Sequence, residues 1–118
     1  MSKSQLLPLL LLLSSAPAFS AIYSCADIPS GRNTLETNDS RIDAFYVINC
    51  SEQTLTYSYQ YNPASFKSEQ LHGLATDMLK NMHSDKAILN KQYPFVNFLS
   101  FKIYHGSTLL DSVVEKIK

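Results

Sequence analysis

The chain contains no tryptophan, three glycines and two cysteines in 118 residues, and its 10 basic residues are matched by 10 acidic ones. Each shortage removes a class of function. Three glycines leave little material for a phosphate-cradling loop, and no Gly-x-Ser-x-Gly elbow, P-loop, dinucleotide glycine pattern or His-Glu-x-x-His occurs. The balanced charge offers no basic footprint for nucleic acid. Apolar residues never run for the roughly 20 positions that a membrane span requires. With 45% hydrophobic and only 17% charged residues, the chain is nevertheless too apolar to stay disordered, and its length suits one small domain.

The N-terminus has the layout of a secretory signal peptide over residues 1–20. Lys3 supplies the positive start, residues 6–13 an eight-residue apolar stretch interrupted by Pro8, and residues 14–21 a run of small side chains. Ala18 and Ser20 stand at the −3 and −1 positions of a cut before Ala21, and Ala16 with Ala18 would serve a cut before Phe19. Cys25 follows Ile22-Tyr23-Ser24 and so lacks a lipoprotein context. The expectation is a periplasmic or secreted chain over residues 21–118, not inserted in the membrane once the signal is cleaved. Without Lys3, nine basic residues face ten acidic ones, a net charge of −1 that draws it to neither polyanions nor membrane surfaces.

Export into an oxidising compartment makes Cys25 and Cys50 a disulfide. Closing a loop of this length contributes about 3–4 kcal/mol in the chain-entropy model. No CxxC spacing or histidine cluster points instead to a thiol or metal site. Residues 27–41, rich in turn formers such as Pro29-Ser30-Gly31 and Asn38-Asp39-Ser40, read as an ordered loop.

Residues 42–50 are β-branched and aromatic, hence a strand. After a turn at 51–53, residues 54–61 alternate strictly, with Leu55, Tyr57, Tyr59 and Tyr61 on one face and Thr54, Thr56, Ser58 and Gln60 on the other. Asn62-Pro63 opens a helix over 65–83, where Phe66, Leu71, Leu74, Ala75, Met78, Leu79 and Met82 recur at helical spacing around a mid-helix Gly73. Residues 85–90 add a further turn. Residues 95–104 form another strand, apolar enough to be central. Residues 108–117 fit a terminal strand after the His105-Gly106-Ser107 turn, with a helix opened by Thr108 and Asp111 as the competing reading. The expected fold is α+β: a small antiparallel sheet in the order β-β-α-β-β, with one helix packed across it and one disulfide.

Chemistry-bearing residues are sparse. His72 and His83 fall on one face of the expected helix but about 16 Å apart along it, too far to share a metal, and His105 lies in a turn. Asp43, Glu52, Asp77, Asp111 and Glu115 are scattered. The chain is therefore expected to be no enzyme and to hold no cofactor or metal. Tyr57, Tyr59 and Tyr61 are the candidate partner-binding residues, since aligned tyrosines suit protein recognition; the same face is also the one a helix should cover. Met78 and Met82 fit core filling better than an adaptable contact surface.

A strand ending in Tyr61-Asn62, a helix after it, and the hairpin Phe-Lys-Ile-Tyr-His-Gly-Ser-Thr-Leu-Leu-Asp at 101–111 give residues 54–117 a further meaning. This stretch resembles small periplasmic proteins of the type II secretion pilotin kind. The resemblance implies an α+β fold and a periplasmic helper role; it assigns no functional residue. The expected function is thus that of an exported accessory protein binding another protein of the cell envelope. An immunity or inhibitor protein that blocks a toxin or hydrolase is the alternative, and a small hydrolase built on His72 or His105 is a third.

Overall fold

Five β-branched or aromatic residues out of eight make Ile42–Asn49 a strand, β2, and the alternating stretch Thr54–Tyr61 pairs with it antiparallel as β3. In the turn between them Gln53 adopts φ 54°, and the Asn49 side chain accepts the Glu52 N–H and the Ser51 hydroxyl. The computed structural model describes residues 24–28, 31–82 and 86–117. The expected signal at 1–20 and its cleavage site lie outside them. The remaining elements are β1 (Asn33–Leu35), α1 (Leu74–Asn81), α2 (Lys86–Gln92), β4 (Phe98–His105) and β5 (Thr108–Lys116). One sheet holds all five strands in the order β1-β2-β3-β4-β5.

This is α+β with the expected disulfide, but the sheet is mixed and not wholly antiparallel. β3 pairs parallel with β4, from Thr54 opposite Phe98 to Tyr61 opposite His105. A tight turn can join only antiparallel neighbours, whereas a long helical crossover brings the chain back in the same direction. Residues 62–97 are such a crossover. The expected order β-β-α-β-β also lacks a strand: three strands precede the helices. The missing one is β1, three residues inside the stretch read as a loop, paired with Tyr46, Phe45 and Ala44 of β2. The terminal strand is present, closed on β4 by the Gly106-Ser107 turn, with a bulge at Ile103/Tyr104.

The single helix expected over 65–83 is broken. Asn62 does not open it; its side chain accepts the Ala64 N–H at 2.9 Å and closes a local turn. A 3-10 turn at Ser68–Leu71 follows. Gly73 then takes φ 78° as the residue before α1, a left-handed conformation that ends one segment and starts the next. It is a break and not a tolerated mid-helix glycine. The apolar periodicity survives the break, because Phe66, Leu71, Leu74, Ala75, Met78, Leu79 and Met82 are all buried against the sheet. The further turn expected at 85–90 is realised as α2, which buries Leu89.

Gly73 has no side chain with which to cap α1. Asp111 does so from β5, its carboxylate accepting the Ala75 N–H at 2.9 Å across 36 positions of sequence. The residue that would have opened a terminal helix is thus spent on a different helix. Asp111→Ala should lower stability by about 1 kcal/mol, the usual worth of a helix cap, as measured by urea denaturation.

The Cys25–Cys50 disulfide forms, yet neither cysteine is buried. Cys50 directly follows β2, and Cys25 precedes β1, which pairs along the outer edge of that strand. The bond therefore clasps a strap over that edge and does not staple the core. Replacing both cysteines by serine should cost about 3–4 kcal/mol. Hydrogen exchange should show the loss concentrated in the β2 amides that bond β1; an even loss across the sheet would refute the strap.

Candidate functional site

The tyrosine face is closed. Tyr57, Tyr59 and Tyr61 are 0%, 1% and 0% exposed, in the middle of the sheet between β2 and β4 and beneath the helical layer. Tyr57 stacks on Phe101 with ring centroids 5.3 Å apart, and Tyr61 meets Phe66 edge-on at 5.1 Å. Tyr46 leans on Tyr57 from the neighbouring strand. Burial pushes the Tyr59 hydroxyl well above the ordinary tyrosine range. It does the same to Tyr61, with smaller contributions from Tyr59 and Asp39. These rings are core, and the reading of Tyr57, Tyr59 and Tyr61 as a binding platform is corrected: the helix-covered face is the one they occupy. Met78 and Met82 are buried in the same layer.

The other face of the sheet carries no helix among the described residues. Strand register sets its rows. Val47, Thr56, Ser100 and Val114 cross the sheet in one row; Phe45, Ser58, Lys102 and Ser112 form the next. Asn49, Thr54, Phe98 and Lys116 flank them on one side, Asp43, Gln60, Tyr104 and Leu109 on the other. Ser58 and Ser100 are only 4% and 3% exposed, so they floor a trough between larger neighbours. Val114 at 62% and Leu109 at 48% are the two most exposed large apolar side chains among the described residues, and both lie on this face. Sequence alternation marked its β3 residues as the polar side, and it missed the apolar ones contributed by β2, β4 and β5.

At the β1 end the face deepens into a groove of about 420 Å³ whose lining includes Arg32, Thr34, Asp43, Phe45 and Gln60. The Arg32 guanidinium lies 4.2 Å from the Phe45 ring centroid. Beside it, Ser40, Arg41, Asn62, Pro63 and Ser107 contribute to a second hollow of about 340 Å³. Arg41 makes two side-chain hydrogen bonds to the Asp39 carboxylate, at 2.9 and 2.6 Å, and covers the Phe66 ring at 4.6 Å. These hydrogen bonds hold Asp39 down to about 2. What the pair contributes to stability is present above about pH 4 and lost as pH falls below that; at the surface, screening keeps it small.

His72 is exposed in the turn before α1 and belongs to no helix, and His83 lies outside the described residues. His105 Nε2 is 2.8 Å from the Phe66 carbonyl and donates to it. Among the described residues no three His, Cys, Asp or Glu side chains form a metal-binding group. Nor is any helix there long and apolar enough to cross a membrane. The open face instead offers hydroxyls, two amides, charges of both signs and half-buried aromatics across a broad surface, which suits recognition of another surface.

The buried ladder has a spectroscopic signature. Tyrosine ionises near pH 10 in the unfolded chain and above that in this core, so the stability it contributes is intact below about pH 10 and falls as pH rises. In an absorbance titration, Tyr59 and Tyr61 should stay silent near pH 10 and appear only with cooperative alkaline unfolding. Smooth titration of all seven tyrosines near pH 10 with the fold retained would refute their burial.

No protein-family model matches this chain, and no curated protein or solved structure matches it either.

Proposed function

We propose that the chain is a small, non-enzymatic accessory protein of the cell envelope, exported by its N-terminal signal, that binds another protein through the open face of its sheet. The observation that carries this reading is the composition of that face: exposed Val114 and Leu109, half-buried Phe45, Phe98 and Tyr104, and a floor of small hydroxyl residues, with no described helix over it. Protein interfaces combine an apolar, aromatic centre with a polar rim in this manner. The disulfide suits an oxidising compartment such as the periplasm or the exterior. A helper role of the kind implied by the pilotin resemblance needs a binding surface and no catalytic groups. An inhibitor of a toxin or hydrolase needs the same, so the identity of the partner separates the two.

The test is capture from periplasmic extract by the tagged mature protein, run beside Thr56→Arg. Thr56 is half-buried at the centre of the open face, remote from the helical layer, so arginine there obstructs docking without entering the core. The wild type should retain one stoichiometric partner, and Thr56→Arg should reduce its recovery at least tenfold while its circular dichroism is unchanged. Retention unaffected by Thr56→Arg, or an empty capture, would overturn the reading.

A further inference from the structure

The two edges of the sheet are treated differently. β1 is three residues long and follows a disulfide-clasped strap. β5 is nine residues long, contains no proline, and ends the sheet with no described strand beyond it. Edge strands usually carry a guard such as shortness, proline or an inward charge. The two acidic side chains of β5 are engaged within the chain, Asp111 by the Ala75 N–H and Glu115 by Lys86. Its remaining charge, Lys116, and its bulge lie toward the two ends of the strand, and between them stands Val114, the most exposed large apolar side chain described.

The phase of the ladder fixes which backbone groups are free. Ile117 donates its N–H to the Asn97 carbonyl at 2.8 Å, so residue 117 points inward toward β4. Alternation along an antiparallel strand then directs the N–H and C=O of Ser112, Val114 and Lys116 away from β4. We infer that these groups pair with the same strand of a second copy of this chain, giving a two-fold dimer with one continuous ten-stranded sheet.

Self-complementarity selects the register. A dyad normal to the sheet must pass through a residue, so that side chains on one face oppose each other. Centred on Val113 it sets Asp111 directly opposite Glu115 twice, and like charges so placed are destabilising. Centred on Ser112 it sets Leu110 opposite Val114 and runs into the bulge between Leu109 and Asp111. Centred on Val114 it sets Val114 against itself, Ser112 against Lys116 and Val113 against Glu115, with no like charges opposed and an unbroken ladder. About six backbone hydrogen bonds form. The dyad places both helical layers on one side and joins the two open faces on the other. A contact one strand wide is below the ~1,200 Å² of standard interfaces, so the dimer dissociates on dilution. This inference is independent of the partner-binding reading, and either can fail alone.

Sedimentation of the mature protein across a concentration series should show monomer passing to dimer and to nothing larger. Val114→Pro removes only an outward N–H, which edge strands tolerate, and should remain monomeric at every concentration with its circular dichroism kept. Val114→Ser keeps the N–H and should still dimerise, more weakly. Cysteine substitution reads the register directly and decides the matter should the proline variant not fold. Two Val114→Cys chains meet with Cα atoms about 5.5 Å apart, within disulfide range, and should cross-link under mild oxidation. Ser112→Cys, four positions out of register with itself, should not. A monomer throughout the series, dimerisation unaffected by Val114→Pro, or cross-linking through Ser112→Cys instead of Val114→Cys would overturn the assignment.

Discussion

Everything else in this molecule depends on the parallel pairing of β3 with β4. Parallel neighbours need a long crossover, and here residues 62–97 carry both helices. A single crossover can cover only one face of the sheet. That face then holds the packed core of the sheet: the Tyr57–Phe101 stack, Tyr59 beside Ile103, and Tyr61 against Phe66. Parallel sheets are usually covered on both sides. This one has a single parallel pair inside an otherwise antiparallel arrangement, which lets the second face stay open with hydroxyl residues on its central strands. The open face is therefore a consequence of topology, and not a surface left over by chance.

The same constraint explains where charges are spent. On the covered side, polar groups serve the fold: Asp111 caps α1, Glu115 binds Lys86 of α2, and His105 donates to the Phe66 carbonyl that ends the irregular stretch after β3. Each joins a strand to the crossover and replaces something the crossover lacks. Gly73 cannot cap, so a strand carboxylate does. On the open side Lys102, Asp43 and Gln60 make no such contact to the crossover among the described residues, and Arg32 covers Phe45 from the surface. Groups without a structural duty are the ones free to meet a partner.

Much of this was legible in the sequence, and the failures have identifiable causes. The period-two alternation at 54–61 located β3 and its buried face, because that signal reports which side chains share a face. It carries no information on strand direction, so the parallel pairing with β4 stayed hidden. The apolar spacing over 65–83 reported the buried surface of the crossover correctly while overstating its helix, since an interruption at Gly73 that keeps the apolar residues facing the sheet leaves the spacing nearly unchanged. β1 was missed because three residues amid turn formers lie below any periodicity, and its pairing is imposed by β2 and the strap. The tyrosines illustrate the limit for function. Composition cannot distinguish a ring that packs from a ring that recognises; only the question of which face the helices cover decides it.

That question also decides where recognition can occur. A buried face is committed to the interior, and substituting it alters folding before it alters binding. The open face, including Val114 and Leu109 of β5, can change while the core is untouched, because these side chains stand outside the helical layer. The open face and the β5 edge share residues at one border: Val114 and Leu109 belong to both, being side chains of the open face carried on the edge strand. A strand added to β5 would extend the face across that border, so pairing at the edge and docking on the face would enlarge each other's surface without competing for it. A sheet covered on both sides could not combine them, since its faces would be filled and only its edge left available.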